Sequence, residues 1–140
     1  MTAAIRVLIV DDSALVRSVL SRGLAADPAI EVVGAARDPY EARDLLVALR
    51  PDVITLDVEM PRMDGLTFLR QVRLRTRAAI IILSSVANLG NPNVDLARKL
   101  GADAVLCKPS GSTSYDLEEK LGAHLQRIVK NFGRSHAAAG

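Results

Sequence analysis

The sequence predicts an open α/β fold, with five parallel strands in one sheet and five helices covering both faces. Three observations carry this. Short apolar runs rich in β-branched residues alternate five times with segments of helical periodicity. The runs are continuously apolar, as strands covered on both faces are. Four of the five end in a polar or charged residue, at the edge where open α/β sheets bind ligands.

The first strand is residues 5–10, Ile-Arg-Val-Leu-Ile-Val, and it ends in Asp11-Asp12-Ser13. Ser13 or Asp12 can cap the helix that follows, whose first amides need an acceptor. In that helix Leu15, Val16, Val19, Leu20 and Leu24 fall on one face, and Asp27-Pro28 stops it. Residues 30–35 form a second strand. Asp38-Pro39 reads as a cap followed by a first-turn proline. Ala42, Leu45, Leu46 and Leu49 of the second helix point inward. After the Arg50-Pro51-Asp52 turn, residues 53–56 are too short for a helix and form a buried strand that ends on Asp57.

The chain breaks at Met60-Pro61 and Asp64-Gly65, then forms a third helix over 65–75, packing through Leu66, Phe68, Leu69 and Val72. Residues 79–83 are a fourth strand, ending in Ser84-Ser85. A polar loop with Asn88, Gly90, Asn91, Pro92 and Asn93 leads to a helix near 94–100, with Gly101 as its left-handed cap. Residues 104–107 are the fifth strand, followed by Lys108-Pro109-Ser110-Gly111. The last helix spans 115–132, with Leu117, Leu121, Leu125 and Ile128 in register. One domain therefore covers 1–132, and the small polar residues 133–140 form a fraying tail or the start of an interdomain linker.

Composition narrows the function classes. A chain of 140 residues, 49% hydrophobic and 24% charged, suits one globular core. Aromatics are only 3% and Trp is absent, so the core is aliphatic. A net charge of +2 is too weak for a nucleic-acid footprint. The one basic cluster, Arg70, Arg73, Arg75 and Arg77, reads as a solvated helix end, with a docking surface for an acidic partner as the alternative. The single cysteine, Cys107, rules out an internal disulfide and C-x-x-C metal pairs, and reads as a small buried hydrophobe. The longest apolar run, 78–83, is far short of a membrane span, and the first residues do not resemble a signal peptide. A cytoplasmic location without a membrane partner is expected.

The strand ends carry the chemistry. In the flavodoxin-like strand order 2-1-3-4-5, Asp11-Asp12, Asp57, Ser84 and Lys108 all face one crevice. Three crowded carboxylates repel one another, and a divalent oxygen-seeking cation relieves this. Mg²⁺ takes one or two carboxylates, several waters and a phosphate. With no His near the acids and no Cys pair, zinc is disfavoured. Lys108 adds a fixed positive charge and Ser84 a hydroxyl donor, which together suit a phosphoryl group. Asp57, the one acid on the central strand, is the best nucleophile, and its attack on phosphorus gives an aspartyl phosphate. Taken singly, the acids read as caps, the lysine as a surface residue and the serine as a turn former. Their conjunction on four strand ends of one topology is what is specific.

These residues resemble the receiver domain of two-component response regulators. The matches are Asp11-Asp12-Ser13, Asp57 with Met60-Pro61-Arg62-Met63-Asp64-Gly65, Ser84-Ser85 and Lys108-Pro109, over residues 5 to about 132. The resemblance implies a CheY-like, Mg²⁺-dependent phosphoacceptor that takes its phosphoryl group from a phosphohistidine on a histidine kinase. Asp57 would be the acceptor. Asp12 would bind Mg²⁺ directly, Asp11 mainly through water, and Glu59 through its backbone carbonyl. Ser84 and Lys108 would hold the phosphoryl oxygens. A cis Lys108–Pro109 bond is also expected, because X-Pro is where cis is cheap.

A finer likeness is to the chemotaxis methylesterase regulators, the CheB family, through residues 11–17, 30–37, 53–66, 84–85 and 108–111. There a receiver precedes an esterase domain that acts on chemoreceptors. This implies a chemotaxis kinase as donor, an esterase effector in cis and chemoreceptors as indirect partners. This chain itself has no Gly-x-Ser-x-Gly elbow, and His124 and His136 do not suit a triad. It is expected to be either the regulatory part of such a protein or a stand-alone receiver.

Two departures stand out. Val105 occupies the position three before the lysine, where receivers often carry Phe or Tyr. Residues 86–94 also differ from the esterase family's usual acidic stretch. Two rivals from other classes remain. One is a small phosphohydrolase using Asp57 with Glu59 as general acid. The other is a flavin or nucleotide binder, which would want a Gly-rich loop and stacking aromatics that this sequence lacks.

Overall fold

A computed structural model describes residues 3–57, 65–85, 92–108 and 121–139; of residues 65, 66, 85, 92–94, 107, 108 and 134–139 the backbone alone is described. The elements follow in strict alternation: β1 Ile5–Val10, α1 Ala14–Ala25, β2 Ile30–Ala36, α2 Pro39–Leu49, β3 Val53–Asp57, α3 Gly65–Arg73, β4 Ala79–Ser85, α4 Pro92–Lys99, β5 Ala104–Lys108 and α5 Gly122–Ala139. The strands form one parallel sheet in the order β2-β1-β3-β4-β5. This is the doubly wound topology expected from the sequence, and the direction of winding across the sheet reverses between β1 and β3.

Period-two alternation along the strands builds two aliphatic cores. Val7, Ile9, Val53, Ile81 and Leu83 meet α1 through Val19, Leu20 and Leu24, and α5 through Leu125 and Val129. Leu8, Val10, Ile54, Leu56, Ile80 and Ile82 meet Ala42 of α2, Phe68, Leu69 and Val72 of α3, and Ala97 of α4. All five residues of β3 are buried, so its last residue, Asp57, is buried by the strand itself. Ser13 caps α1, its side chain accepting from the Val16 amide at 3.2 Å, and Asp38 caps α2 by accepting from Glu41 at 2.8 Å.

Three expectations need correction. Leu15 is 59% exposed and does not join the inward stripe of α1. It sits in the first turn, at the carboxyl edge of the sheet, and helical side chains lean toward the helix N-terminus, so it overhangs that edge. The third helix ends at Arg73, with a turn in which Arg75 and Thr76 donate back to the Val72 carbonyl. The backbone of residues 133–139 is helical and continues α5 to Ala139. Gly133 explains the continuation, since a Cβ there would lie 2.5 Å from Ile5 Cγ2. With no side chain to obstruct it, α5 stays against β1. Further back, Gln126 donates to the Gly23 carbonyl and Lys130 pairs with Asp27 at 2.7 Å, tying α5 to α1.

Candidate functional site

The strand order places the end of β1 beside the end of β3. Val10 pairs with Leu56, so the next residues along, Asp11 and Asp57, stand side by side at the point where the winding reverses. Asp57 pairs with Leu83, which sets Ser84 one residue further along on the neighbouring strand. Ser85 pairs with Lys108, so the backbone of Lys108 lies at the same edge of the sheet. Four scattered sequence positions thus share one edge because four parallel strands finish there.

Asp11, Asp57 and Ser84 are buried, at 1%, 2% and 0% exposure, whereas Asp12 is exposed. One carboxylate oxygen from each of Asp11, Asp12 and Asp57 lies within 4.8 Å of the other two. Among the described residues this is the one group of three acids, His or Cys close enough to share an ion. Ligands of an octahedral ion bound at about 2.1 Å are about 3.0 Å apart when adjacent and about 4.2 Å when opposite, so the three oxygens are near enough to share one cation, directly or through its waters. The donors are all oxygen, which suits a hard divalent ion and not zinc. Two buried acids and one exposed acid leave a way in from solvent.

Local contacts hold the acids in place. The Ser13 amide donates to Asp11 Oδ1 at 2.9 Å. Because Ser13 takes the capping role, the Asp12 carboxylate is left to the cluster. Arg17 donates from Nη1 to the Asp11 carbonyl at 2.8 Å, one turn into α1. Arg17 was not singled out from the sequence, where a single arginine in a first turn carries no distinctive signal. Thr55, two residues before Asp57 on the same face of β3, is fully buried, and its hydroxyl has no hydrogen-bond partner among the described residues. Glu59 and the Lys108–Pro109 bond lie outside the described residues. Val105 is half-buried against the α2–α4 face of the sheet. His124 is exposed on α5 and is not among the residues that cluster at the acidic edge.

The basic cluster resolves into unlike parts. Arg73 is not a solvated helix end. Its Nη1 donates to the Gly101 carbonyl at 3.0 Å and to Asp103 Oδ2 at 3.3 Å; its Nη2 donates to the carbonyls of Thr76 at 2.9 Å and Ala78 at 2.7 Å. It fastens the loop before β4 to the loop before β5. Arg70, Arg75 and Arg77 are exposed.

Comparison with known proteins agrees with this geometry. Residues 7–120 match the family model for the response regulator receiver domain. The chain is 51% identical over 122 residues to a protein-glutamate methylesterase/protein-glutamine glutaminase of Anaeromyxobacter dehalogenans, a match covering 84% of this chain and 34% of that protein. It is 48% identical over 128 residues to the corresponding protein of Bdellovibrio bacteriovorus, covering 91% of this chain and 36% of the relative. This chain thus spans about a third of the curated relatives it matches. Among solved structures, the response regulator domain of Thermotoga maritima CheB superposes with a TM-score of 0.84 at 34% identity, covering 94% of this chain and 97% of that one. A chain from the complex of the CheA3 P1 domain with CheY6 of R. sphaeroides gives a TM-score of 0.75 at 42% identity, covering 94% and 98%. No helix among the described residues is long and apolar enough to cross a membrane. With the sheet order, the acidic edge and these matches in agreement, the chain belongs to the response regulator receiver domain family.

Proposed function

We propose that this chain is a phosphorylation switch in which Asp57 is the phosphoacceptor, and that it regulates a protein-glutamate methylesterase in chemotaxis adaptation. The observation that carries the reading is the convergence of three carboxylates within 4.8 Å, with Asp57 buried on the central strand. An Asp57 oxygen attacks the phosphorus of a phosphohistidine on a histidine kinase. The N–P bond breaks as the O–P bond forms, and an acyl phosphate remains on Asp57. Asp11, Asp12 and Asp57, with the Glu59 carbonyl, would hold Mg²⁺, which supplies charge neutralisation for the incoming phosphoryl oxygens. Ser84 donates its hydroxyl to one phosphoryl oxygen and Lys108 its ammonium to another.

Phosphorylation adds nearly two negative charges beside Ser84. Drawing that hydroxyl inward shifts the population of conformers at the end of β4 and alters the face next to it. The methylesterase assignment and an esterase domain in cis are supported by the relatives' names and by the share of their length matched here, and a histidine kinase donor by the receiver family and the likeness to a chain from a complex with the CheA3 P1 domain; a cytoplasmic location belongs to the same proposal. The test is labelling with a small phosphodonor such as acetyl phosphate. The wild type acquires an acid-stable, hydroxylamine-labile phosphoryl group when Mg²⁺ is present and loses it when Mg²⁺ is chelated. Asp57→Asn is unlabelled under both conditions. Equal labelling of Asp57→Asn would place the nucleophile elsewhere.

A further inference from the structure

At the opposite end of the sheet from the carboxylates, the carboxyl-terminal parts of α2 and α3 diverge around a pocket of about 500 Å³, open to solvent, beside the starts of β3 and β4. Four of its lining side chains are Arg43, Arg50, Arg75 and Arg77. The one acid in the lining, Asp52, already accepts from the Arg6 amide at 2.9 Å. The lining therefore carries a formal excess of three positive charges, more than the +2 of the whole chain. Its accessible apolar lining is half-buried Leu46 and Val47, which is 72% exposed, backed by the buried side chains of Phe68 and Val72.

This combination has a definite chemical complement. Guanidinium groups bind carboxylates and phosphates through paired N–H donors, and their convergence around an apolar recess favours an anion with an aliphatic part. A nucleotide base would want an exposed aromatic face, but Phe68 is 2% exposed and no other aromatic lines the pocket. An acidic peptide carrying aliphatic side chains fits both features, with Leu or Ile in the recess and flanking Glu or Asp on the arginines. Arg43 also lies over the Tyr40 ring at 5.8 Å, which limits its rotamers and orients its charge.

We propose that the groove between α2 and α3 is a docking site for an acidic, aliphatic-containing segment of a partner protein. The site is at the other edge of the sheet from Asp57 and does not depend on phosphorylation there. The probe is a fluorescein-labelled hexapeptide, Glu-Glu-Leu-Leu-Glu-Glu, titrated with the 140-residue chain and followed by anisotropy. Saturable binding is expected, weakening as salt is raised because the arginines are exposed. Arg43→Glu combined with Arg75→Glu should weaken it by roughly tenfold or more, and Val47→Ser by about threefold. Urea midpoints of the variants close to that of the wild type keep the comparison free of unfolding. Any of four outcomes would overturn the proposal: no binding of the hexapeptide at millimolar concentration, equal binding of its Gln-for-Glu analogue, indifference to both sets of substitutions, or tighter binding of ATP or polyphosphate than of the peptide.

Discussion

The two edges of this sheet use aspartate in opposite ways. At the amino edge, Asp52 and Asp103 precede β3 and β5, and each ties its loop to a neighbouring strand. Asp52 accepts from the Arg6 amide at 2.9 Å, and Asp103 accepts from the Ile80 amide at 2.8 Å and from Arg73. Their main chains extend the ladder, with Asp52 N donating to the Arg6 carbonyl and Asp103 N to the Ile80 carbonyl, both at 2.8 Å. At the carboxyl edge, three aspartates crowd within 4.8 Å of one another. One arrangement neutralises carboxylates for stability. The other gathers three of them at one edge, where the proposed cation would bind. If the acidic edge is the phosphoacceptor site, stabilising and phosphoacceptor aspartates are separated along the strand axis, and the sharpest tests perturb one edge and read both.

The largest effect on stability is expected at the amino edge. Arg73→Ala removes four hydrogen bonds linking the loops before β4 and β5, and it leaves the carbonyls of Gly101, Thr76 and Ala78 short of a donor. The expected loss is about 3 kcal/mol in urea unfolding, the size associated with breaking a part-buried charged network. Mg²⁺-dependent labelling of the folded fraction should survive, since no group at the acidic edge is touched. Gly101→Ala sharpens the point. Gly101 has φ +115°, and a Cβ there would come within 2.4 Å of Arg73 Cδ. The substitution should cost less in the Arg73→Ala background than in the wild type, because truncation removes the clash while the backbone penalty remains.

The next effect is read at the carboxyl edge. If the crowded acids hold Mg²⁺, raising the free ion to ten times its dissociation constant should stabilise the fold by about 1.4 kcal/mol. Asp12→Asn, at an exposed position, should remove most of that increment without loss of folding. Thermal melts with and without the ion provide the check. An equal increment in the Asp12→Asn variant would mean that the cation binds elsewhere, and the contrast between the edges would fail.

The comparison also explains what could be read from the chain beforehand. The order of the strands and helices was legible because periodicity is a local property: β3 and α2 announce themselves within a dozen residues. The acidic edge was legible only through topology, since Asp11 and Asp57 are adjacent because β1 and β3 are neighbours. The amino edge was not legible. Arg73 and Gly101 are 28 residues apart, and nothing in their local sequence says that two loops will meet. The choice of Ser13 over Asp12 as cap was equally hidden, because both residue types cap helices well. The extension of α5 through Gly133 depends on the fit against Ile5, which no local propensity encodes.

The smallest effect tests whether the amino edge is shaped for stability alone. Arg50 closes α2 with φ 47° and ψ 64°, the one non-glycine residue with positive φ among those described. An L side chain in that region costs roughly 1–2 kcal/mol, whereas glycine occupies it freely. Glycine also loosens the unfolded chain, which offsets part of the gain. The Arg50 carbonyl keeps its Arg6 donor in either case, because that bond is to the backbone. Arg50→Gly should therefore raise stability by about 0.5 kcal/mol in urea unfolding. The same variant should bind the acidic hexapeptide more weakly, since it deletes one of the four guanidinium groups lining the groove. A more stable protein that captures the peptide less well would mean that arginine is held at this position against the preference of the fold. A less stable protein would return Arg50 to the structural role that Arg73 plays.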